Sequence, residues 1–364
     1  MSPSQPTAAS APPLPGYTAR ELGPERASLA VALRERLWAA GLRWPHWIDA
    51  RPGLLGALVG DCADPPLGQS RAALLQQHSA MLVEGLGALG LALAAPRLAL
   101  ALPAVSAPAP ALRSQLAATQ IELWQTPASF PAQPAHAQAA ESLAGVPWVV
   151  PAETLAAAGA VLRRLPAPRL VSVAGVVRRP QALAWSGPAS PRELVERAGG
   201  TEDENAAWVA LRNDPLGGEL WPADEPLPPD TTLIYILPTG HPLARRQRVS
   251  PPPRLRLTCL SCRLCTELCP ESTRGTEPHR ILHALARREL VPDDVLAARG
   301  CTGCGACSVA CPAELLPGAI VSALAEALPD TRATAAEPPP LPEKSRLPLE
   351  LALRRLGLAE YARP

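Results

Sequence analysis

This 364-residue chain has almost no net charge, a single lysine and no apolar run clean enough to be a membrane span. Each absence removes a class of function. With 34 basic and 33 acidic residues the formal charge is +1, so no field gathers nucleic acid or an anionic membrane surface. The longest apolar stretch, Leu82 to Val105, carries Pro96 and Arg97 near its middle, and an arginine at that depth is costly in lipid. It reads instead as a helix that stops before Pro96 and a buried strand from about Leu98 to Leu102. Nothing near Met1 resembles a secretory leader, which sets the expectation of a reducing cytoplasm.

What the chain does contain is proline, alanine, leucine and arginine throughout, with 46 prolines and 47% hydrophobic residues. This bias lowers the information in any one apolar run. The length suits two or three domains at roughly 100 to 200 residues each.

The nine cysteines carry the chemistry. Eight form two copies of one spacing: Cys259, Cys262, Cys265, Cys269-Pro270 and Cys301, Cys304, Cys307, Cys311-Pro312. Each run reads C-x2-C-x2-C-x3-C-P, in which three thiolates wrap one [4Fe-4S] cubane and the fourth, re-aimed by proline, reaches the other. The ligand sets are then crossed. Cys259, Cys262 and Cys265 pair with Cys311, and Cys301, Cys304 and Cys307 pair with Cys269. A zinc knuckle would need neither the third cysteine nor the trailing Cys-Pro, and such tight spacings suit metal capture better than disulfides. Cys62 stands apart and reads as a small buried side chain.

Punctuation along the chain suggests an α+β multidomain protein. Residues 1–20 are polar and proline-rich and read as disordered. Residues 21–147 read as an α/β domain, beginning with a helix that carries Leu29, Leu33 and Leu37, and fading into weakly structured loops between Pro103 and Pro147. Residues 148–245 read as a small sheet with one helix, a β-grasp pattern. Its strands lie at Leu170 to Val177, Trp208 to Leu211 and Leu233 to Leu237. Its helix is marked by Ser190, Pro191 and Glu193 as a capping box and by Gly199-Gly200 as a stop. A basic, proline-rich linker leads to the cysteine domain at 254–330. Its helices begin at Pro278, with Ile281, Leu282 and Leu285 on one side, and after Pro317, with Ile320, Val321 and Leu324 inward. Residues 331–364 hold a second proline-rich linker and a short amphipathic helix, Leu349 to Leu358, which packs back on the chain or docks on a partner.

Several motifs resemble the flavin and iron-sulfur proteins related to the C subunit of the Rnf electron-transport complex. The nearer branch is the microcompartment-associated cobalamin reductases of the propanediol-utilisation type. The resemblance rests on Cys265-Thr266-Glu267-Leu268-Cys269-Pro270, Glu277-Pro278-His279-Arg280-Ile281, Thr231-Thr232, Leu237-Pro238, His241-Pro242 and Arg354-Arg355-Leu356-Gly357-Leu358-Ala359-Glu360-Tyr361. It implies an SLBB-like β-grasp domain beginning at Leu170 to Pro180 and a helical, ferredoxin-like 2[4Fe-4S] domain. Upstream, the family's G-x-G-G-A-G-F-P-T loop and its following lysine are replaced by Ala39-Ala40-Gly41-Leu42-Arg43-Trp44-Pro45-His46. A backbone cradle for phosphate needs residues without a Cβ, and one glycine remains. The family's acidic loop corresponds to Val59-Gly60-Asp61-Cys62-Ala63-Asp64-Pro65, and a later motif to Pro151-Ala152-Glu153-Thr154. Gly41 and Asp64 are therefore expected as remnants of a degenerate flavin site, and the FMN and NADH of the family lose their cradle. Relatives of this kind continue beyond the point where the chain stops, Pro364, into a further β-rich domain.

The expected function is one-electron transfer through two [4Fe-4S] clusters, between a flavoprotein or ferredoxin donor and an acceptor. This is an electron carrier or reductase subunit rather than a self-contained NADH oxidoreductase. The alternatives are a complete NADH-dependent flavin and iron-sulfur oxidoreductase, and a scaffolding subunit with structural clusters. Resemblance further implies partners in a flavoprotein, ferredoxin or corrinoid enzyme system, and a cytoplasmic place inside a bacterial microcompartment, with its shell or cargo, or beside a membrane complex. Arg263 sits inside the first cysteine run and Arg274 shortly after it, and both favour the more negative, reduced cluster. His241, His279 and His283 read as supporting groups, since thiolates fill every ligand position.

Overall fold

The computed structural model describes residues 24–44, 48–49, 55–103, 110–126, 129–130, 146–185, 187–216, 218–244, 259–269, 272, 275–298, 300–301, 303–326 and 347–362. The expected disordered start, both proline-rich linkers and Arg274 lie outside them. The fold is α+β. It divides into one unit of Met1–Cys62, Arg71–Gln125 and Glu141–Pro168, and another of Ala63–Ser70, Thr126–Ala140 and Arg169–Pro364.

In the first unit the apolar run Leu55–Asp61 forms strand β1, buried along nearly its whole length. Continuous burial is the mark of a parallel strand covered on both faces. It pairs in parallel with β2 (Leu98–Pro103) and with β5 (Val146–Pro151), and β3 (Ile121–Thr126) completes the order β3-β2-β1-β5. Helix α1 (Pro24–Ala39) precedes the sheet, α2 (Ser70–Ala92) and α3 (Pro110–Ala117) connect its strands, and α4 (Ala152–Arg163) follows it. The apolar stretch at Leu82 thus divides into helix end and buried strand, and no described helix is long and apolar enough to cross a membrane.

Two expectations need correction. The region after Pro103 holds α3 and β3, with Leu112 and Trp124 buried, where weak loops are expected. Proline and alanine dilute the apolar pattern there, while β3 still buries Ile121, Trp124 and Thr126. In α1 the inward face carries Ala30, Arg34 and Leu37, whereas Leu29 is 53% exposed. The Arg34 guanidinium is paired with Asp49, donates to the Ala92 carbonyl and lies 4.7 Å from the Trp44 ring. A pattern that scores arginine as outward misses such a face.

Helices α2 and α4 cross at glycines. A Cβ on Gly159 would stand 2.1 Å from the Met81 carbonyl oxygen, and one on Gly85 would stand 2.0 Å from that of Leu155. Gly159→Val should therefore force the helices apart and cost about 1 to 3 kcal/mol or more. A drop in the urea midpoint at unchanged slope measures this.

The second unit contains a five-stranded mixed sheet in the order β7-β6-β10-β8-β9. Its strands are β6 (Leu170–Gly175), β7 (Gln181–Ala184), β8 (Trp208–Arg212), β9 (Glu219–Trp221) and β10 (Leu233–Pro238). The central pair, β6 and β10, is parallel, and the other pairings are antiparallel. Helix α5 (Pro191–Arg197) opens with a complete capping box. Ser190 Oγ accepts from the Glu193 N–H, the Glu193 carboxylate accepts from the Ser190 N–H at 2.8 Å, and left-handed Gly199 and Gly200 end it.

The period-2 rule divides β10 between two cores. Ile234 and Ile236 face Leu194 and Val195 of α5. Leu233, Tyr235 and Leu237 face Val309 and Ala310 of the cysteine-rich segment together with Ala352, Leu356 and Leu358 of the terminal segment. That segment forms α11 (Leu349–Leu356) after the short strand β11 (Leu347–Pro348), which pairs with β4 (Ser129–Phe130). The apolar face of the terminal helix is thus buried within its own unit. Leu356→Ala removes a side chain that is 1% exposed and should cost about 2 to 5 kcal/mol, read as a lowered thermal midpoint.

Candidate iron-sulfur site

The cysteine-rich segment folds as two similar halves. Each cysteine run wraps into a short helix, α6 (Leu264–Glu267) in the first and α9 (Ala306–Ala310) in the second. A longer helix beginning at proline follows each, α7 (Pro278–Arg287) and α10 (Pro317–Glu326), with α8 (Pro292–Ala298) between the halves. The equivalence extends to hydrogen bonds. Thr266 Oγ1 accepts from the His279 N–H at 3.0 Å, and Ser308 Oγ accepts from the Gly318 N–H at 2.9 Å. In each half the hydroxyl beside the third cysteine holds the start of the long helix.

Both runs turn on left-handed residues in the same two places. Ser261 and Arg263 have φ of 52° and 61°, and Gly303 and Gly305 have φ of 71° and 72°. Alternating αR and αL backbone makes a concavity of N–H groups of the kind that receives anionic iron-sulfur clusters. The glycines adopt it freely, whereas Ser261 and Arg263 pay about 1 to 2 kcal/mol each. Composition alone did not show these sites in the first run. The signal lay in glycine at the equivalent places of the second.

Cys259, Cys262, Cys265 and Cys311 line one partly open cavity, together with Arg263, His279, Leu282 and Leu315. Burial pushes the Cys265 thiol up to about 11, with the charges of Cys311, Cys262 and Cys259 adding to the shift. Cys311 is raised by burial first and then by Cys262 and Cys259, against the lowering effect of the Ala313 and Leu315 backbone. Cys307, 6% exposed, is raised furthest by burial, and the thiols nearest it in effect are Cys304, Cys269 and Cys301. The one cavity thus gathers three cysteines of the first run and the last of the second. Thiolates crowded this way repel until cations join them, so iron loading releases protons. Among the described residues no three His, Cys, Asp or Glu side chains converge on a point suited to a single metal ion. Four sulfurs lining one cavity fit a cubane.

The histidines divide by role. His283 Nε2 lies 3.5 Å from Cys259 Sγ and 3.1 Å from Ser261 Oγ, and its ring is 4.4 Å from that of His279. His241 accepts from the Leu243 N–H through Nδ1, so its protonated Nε2 donates to the Gly357 carbonyl at 3.0 Å and holds the end of α11. Arg355 donates to the carbonyls of Val309 and Ala310, closing the end of α9.

Gly41 and Asp64, expected as flavin-site remnants, fall in different units. Gly41, in the first unit, has φ of 91° and donates to the Trp38 carbonyl, which makes it the terminator of α1. Arg43 turns onto the same helix end, donating to the Trp38 and Leu42 carbonyls and stacking 4.2 Å over the Trp38 ring. Pro45 and His46 lie outside the described residues. Asp64, in the second unit, accepts from Ser70 Oγ at 3.4 Å. At the carboxyl ends of β1 and β5, where open parallel sheets receive ligands, Arg71 bridges Asp61 at 2.6 Å and Glu153 at 3.2 Å. Cys62 is buried and its N–H donates to the Ala101 carbonyl.

A Cβ on Gly305 would stand 2.7 Å from Leu216 Cδ1 in a backbone conformation that side chains avoid. Gly305→Val should open the second half selectively, lowering iron from about eight to about four per chain. A colorimetric iron assay on anaerobically purified protein reads it directly.

Comparison with known proteins agrees with the segment's geometry. Residues 258–316 match the family described as a 4Fe-4S dicluster domain. Cobalamin reductase PduS of Salmonella typhimurium is 33% identical over 135 residues, 35% of this chain and 30% of that protein. The PduS of Citrobacter freundii is 32% identical over 123 residues, 32% of this chain and 27% of that protein. The aligned stretch thus spans less than a third of these curated relatives. A chain of an NAD+-reducing [NiFe]-hydrogenase in the H2-reduced state shares the fold, with a TM-score of 0.50, 16% identity, and coverage of 84% of this chain and 64% of that one. The chain thus resembles cobalamin reductases over about a third of its length, and an iron-sulfur dicluster domain over residues 258–316.

Proposed function

We propose that this protein carries single electrons through two [4Fe-4S] clusters between a flavoprotein or ferredoxin donor and an acceptor. The observation that carries this reading is the cavity lined by Cys259, Cys262, Cys265 and Cys311, thiols from both runs around one volume. Cys301, Cys304, Cys307 and Cys269 would hold the second cluster. When bound, each cluster takes up and returns one electron at a time. The protein's part is to hold eight thiolates in place, to turn backbone N–H groups toward the sulfur atoms at the left-handed residues, and to exclude water from the buried half.

The strand order β7-β6-β10-β8-β9 with one capped helix supports an SLBB-like β-grasp domain at 148–245, ahead of the ferredoxin-like domain at 254–330. The family's FMN and NADH do not fit the residues present. Gly41 ends a helix, Arg43 covers that end, and Asp61 and Glu153 are held by Arg71. Two-electron chemistry therefore falls to the partner. A corrinoid enzyme system as acceptor, and a microcompartment as its setting, follow from the likeness to cobalamin reductases.

Paired substitutions test the crossed ligand sets. Cys265→Ser with Cys311→Ser removes two ligands of one cluster and should leave about four irons per chain; Cys265→Ser with Cys269→Ser strikes both clusters and should leave close to none. Equal losses from the two pairs would refute the crossing. Stoichiometric flavin in the purified protein would refute the carrier reading.

A further inference from the structure

The two halves of the cysteine-rich segment share a framework but differ in what surrounds their thiols. Resting on the two-cluster reading above, we infer that the clusters have unequal reduction potentials. The one at Cys259, Cys262, Cys265 and Cys311 is the higher and lies at the surface, so the first electron to enter the protein rests there.

The internal repeat makes the comparison position by position. Arg263 in the first half stands where Gly305 stands in the second, His279 where Gly318 stands, and His283 where Ser322 stands. The first half thus carries a guanidinium and two imidazoles around its cavity, and the second carries two glycines and a hydroxyl. Three of the levers that set a cluster's potential follow from this difference, and all push one way. Reduction adds negative charge, and the Arg263 guanidinium at the cavity wall stabilises it. A thiolate only accepts, so His283 presents Nε2–H to Cys259 Sγ and disperses charge from that sulfur. Cys262 and Arg263 are exposed and Leu260 between the first two cysteines is 67% exposed, so water also stabilises the reduced state.

At the three equivalent places the second half carries no charged or imidazole side chain. Its Cys307 is 6% exposed and its α9 is buried along its whole length. Gly305 packs against Leu216 and Gly318 against Cys307 Sγ. There the Gly303 N–H donates to Cys301 Sγ at 3.4 Å. Burial in an apolar setting penalises added charge. Against the order stand the carboxylates of Glu267, Glu277 and Glu314 near the first half, but these side chains reach solvent, where water and salt screen them.

An EPR-monitored redox titration of the full chain tests the order. Iron is counted first: about eight per chain sustains the two-cluster reading, and about four or fewer refutes that reading itself. Two reduction waves are then expected. His283→Ala and Arg263→Gly, the latter copying the residue of the other half, should each move the higher wave down by about tenfold in the reduction equilibrium, ~59 mV for one electron. His283→Gln, which keeps a donor, should restore much of it, and both variants should leave the lower wave in place. A single unresolved wave, or movement of the lower wave instead, would overturn the inference.

Discussion

Sulfur crowding governs this protein. Thiols from two separated stretches of chain surround a shared cavity, and burial together with mutual repulsion raises the Cys265, Cys307 and Cys311 thiols above their ordinary range. The framework that tolerates such crowding must be rigid. Hydroxyls at Thr266 and Ser308 tie each run to its following helix, left-handed residues turn each run around its cavity, and the face of β10 supports the second half from below. Loss of any of these supports would spread the sulfurs beyond what one cubane spans.

The chemistry was legible in the sequence because cysteine spacing is nearly a coordinate description. The local signals of the small sheet were equally plain, since Ser190, Pro191, Glu193 and the glycine pair each satisfy a specific backbone need at the ends of α5. The terminal helix was readable as amphipathic, but which surface took its apolar face was not. Leu356 and Leu358 join Tyr235 and Val309 across a long sequence separation, and no local pattern encodes such a meeting.

Other features stayed hidden for physical reasons. Helix α3 and strand β3 are short and lie among prolines, so their periodicity never accumulates. Arg34 is buried because Asp49, the Ala92 carbonyl and the Trp44 ring compensate its charge, a combination visible only in three dimensions. The left-handed backbone at Ser261 and Arg263 was masked by ordinary side chains. Gly41 misled in the opposite sense: a residue that looks like the last trace of a phosphate loop terminates a helix.

The covering of the second half comes late in the chain. Val309 and Ala310 are sealed by Ala352, Leu356 and Leu358, and Arg355 closes the carbonyl end of their helix. The side chains that seal this half stand about forty to fifty positions after the helix they cover, so its burial is complete only when the last stretch of the chain has joined the rest.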